Sequence, residues 1–170
     1  MITTRRSAFT AIEMLFVLGA ITVLTTLLIL YNRVGQNQLI LFSEKSKLVS
    51  VIYRARSLSI QTFAQSSPPC GYGVHFENNT TYSLYKNQST GQACEDIEDG
   101  ISNSLYDSGG VIETYTLHPA VVFSTVPSSD ILFIPPDPAV RPDNLVITMS
   151  TTDGTLSGTV TLSDFGQISI

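Results

Sequence analysis

No lysine or arginine occurs anywhere in residues 142–170 of this 170-residue chain, and no basic cluster follows Arg141. With 9 Lys and Arg against 14 Asp and Glu, the formal net charge is -5. Nucleic-acid affinity rests on clustered cations that displace counterions from phosphates, so no nucleic-acid partner is expected. Catalytic signatures are missing as well. There is no Gly-x-Ser-x-Gly, no His-Glu-x-x-His and no phosphate-binding loop. The two histidines, His75 and His118, stand in strand-like segments without a nucleophile motif beside them. The chain therefore reads as a non-enzyme that needs no cofactor. Cysteine is nearly absent: Cys70 and Cys94 are the only two. They lack the Cys-x-x-Cys spacing of a structural zinc site, so no metal is expected.

Charge of either sign is also missing from residues 14–31. About 20 apolar residues cross a hydrocarbon core of about 30 Å, which makes residues 9–31 a membrane-length helix. At its entrance stands one carboxylate, Glu13, four residues beyond Phe9. An acidic side chain in a spanning helix costs roughly 2.5–3.5 kcal/mol on insertion scales, so something is expected to compensate it. A secretory signal peptide has a shorter apolar run, about 7–15 residues, and a small-residue cleavage site beyond it. Ile29-Leu30-Tyr31-Asn32-Arg33 offers no such site. A plain signal anchor fits the length but gives no reason for Glu13.

The string Ala8-Phe9-Thr10-Ala11-Ile12-Glu13, behind a short leader carrying Arg5 and Arg6, resembles the class III leader of type IV pilins and pseudopilins. The common form in that family is Gly followed by Phe-Thr-Leu-Ile-Glu. The resemblance implies that a prepilin peptidase cuts between Ala8 and Phe9 and methylates the new amino terminus on Phe9. It also implies that Glu13 pairs with that amine on a neighbouring subunit. Ala8 replaces the usual Gly, and Leu30 stands where many major pilins carry a proline, so a less kinked helix is expected. At 1.5 Å per residue Glu13 lies about 6 Å along the helix from Phe9, so such pairing imposes an axial offset that suits a filament. Desolvation of both ions opposes a buried pair, which makes register between subunits its expected role.

Arg5 and Arg6 precede the span, while Arg33, Lys45 and Lys47 follow it, so the positive-inside count is balanced. The resemblance sets the orientation: leader in the cytoplasm, single pass through the bacterial inner membrane, carboxy-terminal head exported. An even cysteine pair in an exported domain favours a Cys70–Cys94 disulfide, which would contribute about 3 kcal/mol in the chain-entropy account. A metal site with His75 or His118 and two free thiols are the competing readings.

After the span the period changes little. Leu41, Leu48, Ile52 and Ala55 share a face, with Val51, Leu58 and Thr62 beside it, which is helical spacing. Gly35 is expected to loosen the helix at the membrane exit by about 1 kcal/mol relative to Ala. The helix is expected to continue to about Ala64 and to stop at Ser66-Ser67-Pro68-Pro69, because proline lacks a donor and restricts the residue before it. Strands are expected at 71–76, 81–86, 111–117, 121–125, 131–134, 145–149, 158–162 and 167–170, the first two forming a hairpin. The fold class is α+β: a long amino-terminal helix, its apolar half spanning the membrane and its amphipathic half packed on an antiparallel β-sheet head. The expected divisions are a leader at 1–8, the spanning helix at 9–31, its amphipathic continuation at 32–65 and the head at 66–170. The head resembles minor pseudopilins with a GspH/FimT-like domain, through Cys70-Gly71-Tyr72-Gly73-Val74-His75-Phe76.

The acidic run Glu95, Asp96, Glu98, Asp99 lacks the alternating ligand pattern of a calcium-binding EF-hand loop and reads as a solvated loop. Asn-x-Ser/Thr matches at Asn78, Asn79 and Asn87 read as surface loops. The expected function is a minor pseudopilin or minor pilin, a structural subunit of a type II secretion pseudopilus or a related type IV pilus. Its partners would be prepilin peptidase, other pilins in a filament, an inner-membrane assembly platform, and membrane lipid before assembly. The alternative is a surface-exposed minor pilin acting as a receptor or adhesin or in DNA uptake.

Overall fold

The computed structural model describes residues 10–89, 94, 96–97, 105–126, 128–135, 139–142, 144–163 and 165–170, with the side chains at 30, 31, 33 and 34 left aside. The chain divides into two units, Met1–Asn37 and Gln38–Ile170. One helix, α1 (Ala11–Thr62), supplies backbone to both and runs through Leu30 and Gly35 without interruption. Within α1 the stretch Ala11–Ile29 has mean hydropathy 2.3 and none of it is buried. By length and composition it is a helix able to cross a membrane. Its hydroxyls do not spoil that character. Thr22, Thr25 and Thr26 donate to the carbonyls of Gly19, Ile21 and Thr22, each at 2.8 Å, so the polar atoms are satisfied inside the helix.

In the second unit α1 turns one face inward. Leu41, Leu48, Val51, Ile52 and Ala55 are buried in the main core, at spacings that place them on one face of the helix. Glu44 lies on the same face and is only 4% exposed. Its Oε1 accepts from Lys47 Nζ at 2.6 Å, a local ion pair that offsets part of the desolvation of a buried carboxylate. The helix ends at Thr62, six residues before Pro68, with Gln65 N donating to Thr62 O.

The strands form two antiparallel sheets. In chain order they are β1 (Gly71–Phe76), β2 (Thr81–Asn87), β3 (Val111–Thr116), β4 (Val121–Thr125), β5 (Asp130–Ile134), β6 (Ala139–Arg141), β7 (Leu145–Thr151), β8 (Ser157–Leu162) and β9 (Ile168–Ser169). The first sheet has the order β3-β2-β1-β5-β6 and the second β4-β7-β8-β9. The antiparallel β-sheet head expected from the sequence is thus built of two sheets. Strand β6 adds to the expected set: it pairs at the sheet edge with β5, where neighbouring prolines do not interrupt an inner ladder.

Alternation explains the layers. Tyr72, Val74 and Phe76 of β1, Tyr82 and Leu84 of β2, and Ile131 and Phe133 of β5 face the main core. Phe123, Leu145, Ile147, Met149, Val160 and Leu162 of the second sheet meet them there. The other face of the first sheet carries a smaller cluster of Cys70, Tyr85, Ile97, Leu132 and Ile134, with Cys94, Leu105 and Tyr106 packed against it. Gly73 makes room for this cluster. A Cβ there would lie 2.7 Å from the Tyr85 ring and would collide with Ile131 O. Helix and sheet are also tied by hydrogen bonds, from Ser59 Oγ to Phe133 O at 2.7 Å and from Arg54 Nη1 to Glu113 Oε2 at 2.7 Å.

Candidate functional site

The first turn of α1 explains how a charge is tolerated at the head of an apolar helix. Thr10 precedes the helix, and its N and Oγ1 both donate to Glu13 Oε2 at 3.1 Å. Glu13 N donates back to Thr10 Oγ1 at 3.4 Å. This is a reciprocal capping box, Thr-x-x-Glu, which satisfies two of the amide donors that every helix start leaves open. A carboxylate is also favoured there by the positive end of the helix dipole. Both bonds to the carboxylate engage Oε2. Among the described residues no cation lies within ion-pair distance of Glu13, so Oε1 remains available to a donor from outside. Ala8 and Phe9, the expected cleavage pair, lie outside the described residues.

Farther along, α1 has a second apolar surface opposite its core face. Leu39 is 71% exposed and Phe42 62%, and Tyr53 and Ile60 are also exposed. At 3.6 residues per turn these four fall in one narrow arc, and the positions between them on that arc are Ser46, Ser50 and Ser57. The arc holds no charge. Lys45, Lys47, Arg54 and Arg56 flank it, and three of these cations are engaged: Lys47 on Glu44, Arg54 on Glu113 and Tyr115 Oη, and Arg56 on Gly166 O. The hydrogen bond to Glu113 raises the Arg54 pKa above its ordinary value, and bonds from Tyr115 and Arg54 hold Glu113 below the usual carboxylate range.

A disulfide joins Cys70 to Cys94, with Cα atoms 5.2 Å apart. Both sulfurs are therefore engaged with each other, and neither histidine completes a metal set with them. His75 Nδ1 lies 2.7 Å from Asp130 Oδ1, and its ring stacks on Tyr106 with centroids 3.7 Å apart. His118 Nδ1 accepts from Ala120 N at 3.1 Å. Of the acidic run, Asp96 is described, while Glu95, Glu98 and Asp99 lie outside the described residues. Among the described residues no group of three His, Cys, Asp or Glu could hold a metal. Burial drives the phenols of Tyr82 and Tyr85 well above the ordinary tyrosine range, so both act as neutral packing groups.

Three features escaped the sequence reading. The capping box was legible in Thr10-Ala11-Ile12-Glu13, a Thr followed three residues later by Glu ahead of an apolar run. The buried Glu44 sits at core spacing from Leu41 and Leu48, which a strict period would have flagged. Asp130 as the partner of His75 depends on the pairing of β1 with β5, which no local pattern announces. Comparison of the chain with protein-family models, with curated proteins and with solved structures finds no match.

Proposed function

We propose that this chain is a structural subunit of a membrane-assembled filament, a minor pseudopilin of a type II secretion system or a minor pilin of a related type IV pilus. In this reading prepilin peptidase removes residues 1–8 and methylates Phe9. The apolar part of α1 resides in the inner membrane until the assembly platform transfers it into contact with other pilins, and the head is exported. The subunit performs no catalysis and needs no cofactor.

One observation carries the reading: a wholly exposed apolar helix whose sole charge, Glu13, is half satisfied by its own Thr10. A cap alone does not require a full charge, since Gln closes the same box and costs less to insert. The capping box lowers the penalty while leaving one oxygen for a neighbour's ammonium, which a subunit that moves from lipid into a filament can use. The charge-free arc of Leu39, Phe42, Tyr53 and Ile60 supports helix–helix contact beyond the span, since serines between large residues permit close approach. The receptor reading, with DNA as ligand, has weaker support because Lys47, Arg54 and Arg56 are already engaged.

Co-expression with a prepilin peptidase, followed by mass spectrometry of the amino terminus, tests the proposal. The expected product begins at a methylated Phe9. An intact leader, or a cut beyond the apolar segment, would refute it.

A further inference from the structure

We infer that a groove between α1 and the start of β8 receives an acidic side chain, Asp or Glu, from a neighbouring filament subunit, with Lys45 as its counterion. This rests on the filament reading given above. Gln38, Leu41, Phe42 and Lys45 form the helix wall, and Leu156 and Gly158 stand on the strand side. Every residue that borders the groove is described, and all belong to the second unit. The groove measures about 240 Å³. That is below the usual range for small-molecule sites and suits a single side chain.

Lys45 is what calls for an acid. Of the four cations that flank the outer arc of α1, Lys47, Arg54 and Arg56 are engaged within the chain. No ion pair or side-chain hydrogen bond joins Lys45 to any described residue. The adjacent acid, Glu44, is taken by Lys47. Asp153, in the turn before β8, accepts from the Thr151 and Thr155 hydroxyls. Yet Lys45 does not extend freely into water. It is half-buried, and a Cβ at position 158 would lie 3.5 Å from both its Cδ and its Nζ, so the side chain lies along β8. The ammonium has given up part of its hydration without gaining a counterion in its own chain, a cost that an outside carboxylate offsets. Phe42 sets the direction of approach. It borders the groove and also belongs to the exposed arc with Leu39, Tyr53 and Ile60. A helix laid on that arc passes the mouth of the groove. Lys45 stands at the rim of such a contact, where water still reaches it. A rim charge contributes specificity more than affinity: it accepts a neighbour that presents a carboxylate there and repels one that presents Lys or Arg.

The test compares the full-length protein in membranes with the same protein in sheared filaments, each treated with a water-soluble carbodiimide. The reagent joins the Lys45 amine to a carboxylate in contact with it as an amide and takes up the water released. Peptide mapping should find Lys45 coupled to an Asp or Glu peptide in filaments and not in the membrane pool. Lys45→Glu should lower incorporation, measured as filament relative to membrane pool, by roughly tenfold, since like charges then meet. Lys45→Met should lower it about threefold, the loss of a rim pair, and Lys45→Arg should assemble close to the wild-type level. Lys86→Glu, the same charge change on β2, should have no effect. Circular dichroism of each variant checks that the head remains folded. Absence of the wild type from filaments would overturn the filament reading and this inference with it. With the wild type assembled, the inference alone is overturned by any of four results. These are no Lys45 adduct in filaments while other lysines couple, the same adduct in the membrane pool, normal assembly of Lys45→Glu, or equal impairment by Lys86→Glu. It is overturned as well if anionic lipid vesicles shield Lys45 from acetylation as fully as filaments do, which would assign the groove to a lipid headgroup.

Discussion

Replacing Glu13 by Gln and by Ala separates two roles that one carboxylate combines. Its Oε2 takes two hydrogen bonds from Thr10 at 3.1 Å, and its amide donates one at 3.4 Å. A cap of this kind contributes about 1 kcal/mol, and Gln serves in the box as Glu does. Removing the charge relieves up to roughly 2.5–3.5 kcal/mol of insertion cost, less near the helix end. Gln keeps the cap and loses the charge, so Glu13→Gln should insert best. Ala loses both, and Glu13→Ala should insert at least as well as the wild type. Filament incorporation should behave in the opposite way. Loss of a charge-assisted hydrogen bond costs about 1.5–3 kcal/mol, which corresponds to roughly ten- to a hundredfold in incorporation. Both variants should therefore be depleted from filaments to a similar extent. Insertion is read by membrane fractionation, and incorporation by the amount of each variant in sheared filaments relative to the membrane pool. If Glu13→Gln assembles normally while Glu13→Ala fails, the carboxylate is only a helix cap. If both assemble normally, it has no role in subunit contact.

The Cys70–Cys94 bridge spans a sequence separation of 24, for which the chain-entropy account gives about 3.4 kcal/mol; Cys70→Ala/Cys94→Ala should lower the urea midpoint of the head by about 1.7 M at a slope near 2 kcal/mol/M. Tyrosine emission can follow the transition because the chain has 7 Tyr and no Trp, and an unchanged midpoint would remove the bridge from the stability account. The full-length chain should give no salt-sensitive gel shift with DNA at micromolar protein, since phosphate contact needs clustered free cations. A shift abolished by Arg54→Ala/Arg56→Ala would transfer weight to the receptor reading.

The parts of the fold that follow from local pattern were legible, and the parts set by distant pairing were not. The helix and its buried face could be read because Leu41, Leu48, Ile52 and Ala55 repeat at helical spacing up to a double-proline stop. The β1–β2 hairpin is marked by two apolar runs and the polar link between them. The division into two sheets depends on β1 pairing with β5 while β4 pairs with β7, and nothing near either strand signals the choice. One hint went unused. Ile131-Leu132-Phe133-Ile134 is apolar at every position, and a continuous run implies a strand covered on both faces. Ile131 and Phe133 indeed enter the main core, while Leu132 and Ile134 pack under Cys94, Ile97 and Tyr106. At the amino-terminal site the isolation of Glu13 was plain in the sequence. Its cap is carried by Thr10, three residues ahead, a local signal separate from the isolation of the charge.

The two faces of α1 beyond Asn37 bear on what such a helix is for. A helix that only supports a domain places apolar residues against the core and charges toward water. Here Leu41, Glu44, Leu48, Ile52 and Ala55 face the core, and the only buried acid of the helix lies among them. The opposite arc exposes Leu39, Phe42, Tyr53 and Ile60 and carries no charge, while the cations stand on the flanks between the two. The usual distribution is thus altered on both sides. Retaining a carboxylate inside, even one paired with Lys47, sacrifices stability relative to an apolar residue of similar size. Keeping large apolar residues outside sacrifices solubility. Neither arrangement helps an isolated head in water. Both become compatible with function if the outer arc is covered by another helix and the flanking cations stay hydrated beside that contact. The exposed apolar stretch Ala11–Ile29, with its capped Glu13, adds a second uncovered apolar surface to the same helix, and it is these surfaces that the proposed filament would cover.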